Sequence, residues 1–175
     1  MIEKSRAAEI WELVHPVMNM ERWLEAIKLL KNDFSVVHND WKLSWNLAWC
    51  YFKLARLDEA RTHMIRATKL APANASCRLG LGAIYLERKQ FKKAETNCTE
   101  SLRLKDSYIA RITLALAYMK QGKLTEAENV HLEGIKLKPK STQRYEAYAD
   151  FLSDAGREEE AQKMYEKAKK LRQQN

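Results

Sequence analysis

Residues 41–72 read WKLSWNLAWCYFKLARLDEARTHMIRATKLAP, and this stretch predicts a pair of helices joined by a short turn. In its first half, Ala48 and Tyr51 are three residues apart, so they share one face of a helix. In its second half, Ala60 and Ala67 are about two turns apart and share a face as well. The closing proline cannot continue the second helix, so it marks the end of the unit.

The same pattern returns three times further along the chain. Ala60 is followed by Ala94, Ala127 and Ala161, at intervals of 34, 33 and 34 residues. Ala26 lies 34 residues before Ala60, which extends the register to a degenerate first unit. A period near 34 with two helices per unit is the signature of a helical solenoid. One pair cannot bury its own apolar face, so neighbouring pairs must stack.

The composition agrees with one helical array of modest size. The chain has 175 residues, 46% of them hydrophobic, and only 5 Gly and 3 Pro interrupt the helices. No apolar run reaches the roughly 20 residues that a membrane span needs, and residues 1–6 lack the apolar block of a signal peptide. Cys50, Cys77 and Cys98 form an odd set without a CxxC motif, so we expect reduced thiols in a cytoplasmic protein.

The net charge of +8 permits binding to nucleic acid, to acidic protein or to anionic lipid, and it selects none of them. The basic residues concentrate on the second helix of each predicted pair, whereas the large aromatic residues lie mostly on the first. A surface for single-stranded nucleic acid would mix aromatics with the charges. We therefore rank nucleic acid below protein as the expected partner.

Capping and helix-ending residues set the expected boundaries. Asp40 is suited to cap the helix that follows it, as Asp106 or Ser107 is for a later one. Gly122 is of the type that ends a helix. The predicted helices span residues 41–54, 57–70, 75–88, 91–104, 107–121, 124–137, 142–155 and 157–172.

The first unit departs from this regularity. Pro16 removes a backbone donor, so it should kink or end the first helix near His15. Residues 34–39 contain the β-branched Val36 and Val37, and we expect an irregular link there.

The aligned columns of small residues, aromatics and prolines resemble tetratricopeptide repeats. The resemblance covers residues 41–74, 75–107, 108–141 and 142–175 as four repeats and residues 7–40 as a degenerate one, in a single array over residues 1–175. It implies an all-α fold, a right-handed α-solenoid of about ten helices stacked as antiparallel pairs. It also implies a scaffold whose concave groove binds a protein or peptide segment, with no catalytic residues, cofactor or metal.

The repeat register further implies which residues line that groove. They are Trp11, Lys42, Trp45, Asn46, Trp49, Phe52, Leu79, Leu86, Ile112, Leu116, Met119, Glu146, Asp150 and Asp154. The middle of this set is apolar and aromatic, and its last three members are acidic. We therefore expect a partner segment that has an apolar or aromatic anchor and a basic part.

Trp45 and Trp49 admit two interpretations. They are four residues apart and share a helical face with Phe52, while Tyr51 belongs to the packing face. Exposed aromatics on a recognition surface are often the energetic anchors of binding. Alternatively, either tryptophan packs against Trp11 and closes one end of the array.

One ligand class of the resembling family is excluded. Its carboxylate-clamp members need Lys, Asn and Arg at set groove positions over three repeats. Lys42 and Asn46 fit this pattern, but the next repeat offers Ser76 and Gly80 and the one after it Ile109 and Thr113, so the clamp is not completed.

Two further features complete the sequence-based expectations. His131 and Cys98 fall in packing columns about 10 Å apart, which is too far for one metal ion. The last helix carries Met164 and Tyr165 with no capping helix after it, so self-association through this edge is the alternative function.

Overall fold

The computed structural model describes residues 5–174, and these residues form helices joined by short turns, without a strand among them. The helices are α1 (Arg6–Asn19), α2 (Trp23–Asn32), α3 (Phe34–Asn39), α4 (Trp41–Lys53), α5 (Leu57–Leu70), α6 (Ala75–Glu87), α7 (Phe91–Leu104), α8 (Tyr108–Met119), α9 (Leu124–Leu137), α10 (Thr142–Asp154) and α11 (Glu158–Gln173). Residues 1–4, on which the signal-peptide expectation partly rests, lie outside this range.

The contacts within the chain divide it into two compact units. The first unit extends to Lys89 and contains α1 to α6, and the second begins at Gln90 and contains α7 to α11. The third predicted pair therefore contributes one helix to each unit. The single array over residues 1–175 stays a prediction.

The predicted helix boundaries from residue 41 onward agree with the structure to within about two residues. Asp40 caps α4, because its carboxylate accepts a hydrogen bond from the backbone nitrogen of Leu43 at 2.9 Å. Asn74 caps α6 in the same way through Cys77 at 3.1 Å. Ser107 precedes α8 without a side-chain capping bond.

Residues 5–40 contain three helices, which corrects the expectation of an irregular link. Residues 34–39 are the short helix α3, and the eleven helices of the described chain agree with the expected number of about ten. Tertiary contacts outweigh the low helix propensity of the β-branched residues in this segment. Val37 is fully buried, and its carbonyl accepts a 2.6 Å hydrogen bond from the Ser44 hydroxyl. Pro16 does not end α1, which continues to Asn19.

The turn inside each pair repeats the same backbone device. One residue in each turn has the left-handed conformation: Glu21, Ala55, Lys89, Gly122 and Gly156, at φ of 57°, 56°, 57°, 75° and 75°. In four of the five turns, the next residue donates its backbone N–H to the carbonyl five positions earlier, which is the Schellman end of a helix. The period near 34 is thus present in the backbone as well as in the sequence.

The two units have separate cores. The first unit packs α1 to α6 around fully buried side chains that include Leu30, Leu47 and Tyr51. The second unit packs α8 to α11 around Tyr148 and Leu152, with a smaller cluster around the fully buried Cys98. The small columns Ala60, Ala94, Ala127 and Ala161 are fully or almost fully buried, as the repeat pattern predicts.

Candidate functional site

Three aromatic side chains of α4 form a continuous row, which we call the aromatic row. The rings of Trp45 and Trp49 stack with centroids 5.6 Å apart and an interplanar angle of 9°. Trp49 stacks in turn on Phe52 at 5.4 Å and 23°. All three side chains are half-buried, so each ring keeps part of its surface accessible. Spacing along one helix face produces this stack, as the sequence predicts.

The aromatic row is held in place from both ends of α4. Lys53 places its ammonium nitrogen 5.6 Å from the ring centroid of Trp49 and 5.7 Å from that of Trp23, so one cation bridges α4 and α2. Trp45 donates its indole N–H to the carbonyl of Ser76 at 3.4 Å. Trp45 and Phe52 also pack partly against the first core. The row is therefore preorganised rather than loose.

A surface cavity of about 560 Å³ opens beside Trp45, and we call it the tryptophan cavity. Three tryptophans line it, one from α1 and two from α4: Trp11, Trp41 and Trp45. Its lining also includes the polar residues Asp40, Lys42, Asn46 and Ser76. Its volume falls within the range of typical ligand clefts.

The tryptophan cavity bears on the alternative in which Trp45 closes the array against Trp11. Both residues line the cavity, yet within the described chain no ring contact joins them. The ring of Trp11 instead lies 4.6 Å from that of His15, and 40% of Trp11 remains exposed. The two tryptophans thus face a shared space without filling it.

The remaining predicted residues of the first unit occupy different environments. Lys42 is exposed and places its ammonium nitrogen 5.8 Å from the ring of Trp41. Asn46 is only 5% exposed, although it reaches the edge of the tryptophan cavity. Leu79 and Leu86 are half-buried on α6. The repeat register did not assign Trp41 to the groove. Its neighbour Lys42 was assigned there, and this adjacency at the start of α4 is the sequence signal that could have identified it.

In the second unit, the predicted apolar residues are half-buried on α8. Ile112, Leu116 and Met119 each keep part of their surface accessible, and Met119 packs partly against the second core. These three residues extend over two turns of one helix. They belong to the second unit and are therefore considered apart from the tryptophans of the first.

Two of the three predicted acidic residues on α10 accept hydrogen bonds from α11. Glu146 accepts a hydrogen bond from the guanidinium of Arg172. Asp150 accepts one from the hydroxyl of Tyr165, and this bond raises the pKa of Tyr165 to about 12. Asp154 is exposed. The sequence reasoning missed Arg172 and Tyr165, because their positions relative to α10 depend on how the last pair closes.

The apolar face of α11, on which the self-association hypothesis rests, is largely buried within the second unit. Ala161, Ala168 and Leu171 on α11 are buried, and only Met164 and Tyr165 keep appreciable apolar surface. Self-association through this edge stays a prediction.

The structure places the other residues singled out by chemistry in packing roles. His131 is buried, with its ring 5.2 Å from that of Phe151 and 5.9 Å from that of Tyr148. Cys50, Cys77 and Cys98 are free and buried, and burial raises the pKa of each thiol to about 12, 11 and 12. Among residues 5–174, no three ligand-type side chains lie close enough together to hold a metal ion. No helix in that range combines the length and apolar character that membrane crossing requires.

The profile of the tetratricopeptide repeat matches residues 42–74, 109–141 and 142–175, which is more than half of the chain. Three solved structures of MamA proteins are similar in fold. MamA 41-end from Desulfovibrio magneticus RS-1 is 18% identical, with a TM-score of 0.76 and coverage of 98% of both chains. A crystal structure of MamA is 17% identical, with a TM-score of 0.73 and coverage of 99% of this chain and 98% of that one. MamA MSR-1 is 20% identical, with a TM-score of 0.69 and coverage of 97% and 98%. No curated protein is significantly similar in sequence.

Proposed function

The chain belongs to the tetratricopeptide-repeat family, whose members are protein-binding scaffolds, and on this premise we propose that it binds a peptide segment at the tryptophan cavity. The segment inserts an apolar or aromatic side chain between Trp11, Trp41 and Trp45. The observation that carries the proposal is this cavity of about 560 Å³, which three tryptophans line and no side chain fills.

The physical reason is the cost of leaving such a surface in water. Large aromatics gain the most from burial, at about 25 cal/mol for each Å² of apolar surface removed from water. Stacking and the cation of Lys53 fix the aromatic row beside the cavity, so little side-chain entropy is lost when a partner binds. Preorganised aromatics around a cleft are the usual composition of a binding hot spot.

The edge of the cavity supplies groups that can recognise a peptide backbone. Lys42 can donate to a carbonyl, and the amide of Asn46 can both donate and accept. One carboxylate oxygen of Asp40 accepts the hydrogen bond that caps α4. Aromatic side chains combined with polar groups are a composition found at protein interfaces.

The acidic part of the predicted groove carries less weight in this proposal. A basic ligand group at Glu146 would have to displace Arg172, and one at Asp150 would have to displace Tyr165. The apolar anchor is therefore the primary determinant, and the basic part of the segment is secondary.

The test selects peptides from a random displayed library on the full chain and measures their affinity by fluorescence anisotropy. We expect the selected peptides to share a large apolar or aromatic residue. Trp11→Ala and Trp45→Ala should each weaken binding by about tenfold, which corresponds to about 1.4 kcal/mol. Trp11 is the sharper variant, because Trp45 also packs partly against the core.

Leu24→Ala is the matched control, because Leu24 is a large apolar residue of the same unit that is 69% exposed and does not line the cavity. It should change the affinity less than about twofold. Peptides without an apolar anchor, or equal affinities for Trp11→Ala and Leu24→Ala, would refute the proposal.

A further inference from the structure

A second cavity of about 360 Å³ lies in the first unit and shares no lining residue with the tryptophan cavity. Its walls come from α3, α5 and α6. Its charged and aromatic lining consists of His38, Arg61, His63, Arg66, Lys69 and Tyr85. We call it the basic cavity. Because it involves none of the residues proposed to bind a peptide, it points to a separate activity.

The cations of the basic cavity follow from the spacing along α5. Arg66 and Lys69 are three residues apart and share one face of the helix, and Arg61, about one turn and a half earlier, lines the same cavity from the adjoining face. Thr62 and Ile65 line the cavity between them. None of the described residues that line this cavity is acidic. Three cations therefore surround one space without a carboxylate in its wall.

The cavity arginines differ in their ion pairing from five other arginines of the chain. An ion pair with a glutamate three positions away is formed by each of Arg6, Arg22, Arg56, Arg103 and Arg157. The positions three and four residues from Arg66 hold Thr62, His63, Lys69 and Leu70, none of which is acidic. In the part of the chain that the structure describes, neither Arg66 nor Lys69 has a carboxylate within ion-pair distance.

Arg61 is weakly neutralised as well. Its nearest carboxylate is that of Asp58, at 3.7 Å. The same Asp58 oxygen lies 2.6 Å from a nitrogen of Arg88, so its charge is shared with a closer partner. Most of the positive charge of Arg61 is thus left for the basic cavity.

The wall of the basic cavity is fixed rather than loose. Arg66 donates its Nε–H to the backbone carbonyl of His38, which leaves the two terminal nitrogens of the guanidinium for other acceptors. The ring of His63 stacks on that of Tyr51 with centroids 5.6 Å apart and an interplanar angle of 9°. The ring of His38 lies 3.8 Å from that of Phe34.

The two histidines are shifted mainly by burial, with a contribution from nearby positive charge. Burial, and after it the charges of His38, Lys31 and Arg66, together lower the pKa of His63 to about 4. Burial and Arg66 also lower the pKa of His38. The carboxylate of Glu59 opposes the shift at His63 without cancelling it.

We propose that the basic cavity binds a phosphate group. A fixed guanidinium offers paired donors that match the oxygens of a phosphate, while Lys69 and Arg61 supply additional charge. A dianion neutralises this site better than a single carboxylate does. The ring of Tyr85 and the side chain of Ile65 give the remaining wall an apolar character that can contact the rest of a small phosphate ester.

The experiment titrates the full chain with inorganic pyrophosphate by calorimetry, at an ionic strength of about 0.15 M so that unspecific attraction is screened beyond about 8 Å. We expect saturable binding to one site. The double substitution Arg61→Ala with Lys69→Ala should weaken it by about tenfold or more. In histidine-ring NMR spectra, the signals of His38 and His63 should move with pyrophosphate concentration.

The matched control is Lys136→Ala with Lys138→Ala, which removes the same charge from exposed positions at the end of α9. This control should change the affinity less than about twofold. A parallel arm uses phosphatidylcholine vesicles with and without phosphatidic acid, and it distinguishes a lipid headgroup from a soluble phosphate as the source. Binding in either arm that requires Arg61 and Lys69 supports the proposal.

Absence of saturable binding in both arms overturns it. Equal weakening by the two double substitutions overturns it as well, since the attraction would then be that of a diffuse basic surface, as expected for unspecific nucleic-acid binding.

Discussion

The carboxylate of Asp106 accepts a hydrogen bond from Nε of Arg111 at 2.9 Å, and its second oxygen accepts one from Arg144. The side chains of Arg111 and Arg144 are only 10% and 5% exposed. Each arginine also donates to a carbonyl of α9, that of Val130 at 2.9 Å and that of Gly134 at 3.0 Å. Two buried guanidinium groups thus share one carboxylate, which ties the start of α8 to α9 and α10. Arg111 has a second, more exposed partner in Glu133 at 3.4 Å.

The substitution Asp106→Asn should destabilise the protein by about 3 kcal/mol, since it leaves two buried cations without their shared anion. Urea unfolding at pH 7, followed by circular dichroism, measures the change. Asp58→Asn is the matched control, because the side chain of Asp58 is 72% exposed although it pairs with Arg88. An exposed pair contributes about 0–1 kcal/mol, so similar losses for the two variants would contradict this role of Asp106.

The same contact predicts a pH dependence. Burial would raise the pKa of Asp106, but the hydrogen bonds from Arg111 and Arg144 outweigh it and lower the pKa below its usual value. A carboxylate with a lowered pKa contributes its stability above the unfolded value of about 3.9, and this stability is lost as the pH falls through the folded value. Below about pH 4, the stability of the wild type should therefore decline towards that of Asp106→Asn.

The helical glycines Gly134 and Gly80 should respond differently to alanine. A Cβ at Gly134 would lie 2.8 Å from Cδ of Arg111 and 2.9 Å from Nη1 of Arg144, and both side chains are held by the Asp106 contacts. Overpacking of this kind costs about 1–3 kcal/mol. We expect Gly134→Ala to lower the free energy of unfolding by about 2 kcal/mol.

A Cβ at Gly80 would instead meet the tip of Met64, with Cε at 2.4 Å and Sδ at 2.7 Å. A methionine tip can rotate away, and alanine in a helix interior gains up to about 1 kcal/mol over glycine. Gly80→Ala should therefore change the unfolding free energy by less than about 1 kcal/mol. Urea unfolding of both variants beside the wild type measures the two changes. A larger loss of unfolding free energy for Gly80→Ala than for Gly134→Ala would contradict the prediction.

The helix boundaries were predictable because they depend on local chemistry. Asp40 and Gly122 act within a few residues of themselves, as a cap and as a left-handed helix end. The ion cluster of Asp106 and Arg144 was not predictable, since it joins side chains 38 positions apart. The prediction that Asp106 or Ser107 caps α8 had considered only the local use of that carboxylate.

The candidate site divides in the same way. The stacking of Trp45 on Trp49 follows from their spacing along one helix and was predictable. The tryptophan cavity needs Trp11 from α1 beside Trp41 from α4, and such an approach of distant elements depends on packing. Helix α3 escaped prediction for a related reason, because burial of Val37 overrides the weak helix preference of that segment.

The left-handed turn residues predict a reciprocal pair of substitutions. Ala55 has φ of 56°, a backbone conformation that costs a residue with a side chain about 1–2 kcal/mol of stability. Gly122 occupies the equivalent conformation two repeats later, at 75°. A Cβ at Gly122 would meet nothing within 4 Å, so Gly122→Ala reports the backbone cost alone. We expect Gly122→Ala to destabilise by about 1 kcal/mol, after the smaller unfolded-state entropy of alanine is included.

Ala55→Gly should act in the opposite direction, with a gain of up to about 1 kcal/mol. Thermal unfolding of both variants beside the wild type measures the pair. Changes of the same sign at the two positions would show that contacts of the side chain at Ala55, rather than its backbone conformation, determine its effect.

His131 predicts a loss of stability in mild acid. Burial, and after it the charge of Arg111, lower its pKa to about 4, against a smaller opposing effect of Asp150 and Glu128. A histidine with a lowered pKa stays neutral in the folded state, while the unfolded chain takes up a proton at about pH 6.5. Its contribution is therefore complete above pH 6.5 and is lost as the pH falls from there towards 4. Between pH 7 and pH 5, this loss amounts to about 1–2 kcal/mol.

The variant His131→Phe separates this titration from packing. Phenylalanine keeps a ring beside Tyr148 and Phe151 but has no proton to gain, so its effect at pH 7 measures packing alone. Urea unfolding of wild type and variant at pH 7 and pH 5 gives the two pH-dependent losses. We expect the loss of the variant to be smaller by about 1–2 kcal/mol. Equal losses would mean that His131 is protonated in the folded state at pH 5, and hence that burial between α9 and α10 does not hold it neutral.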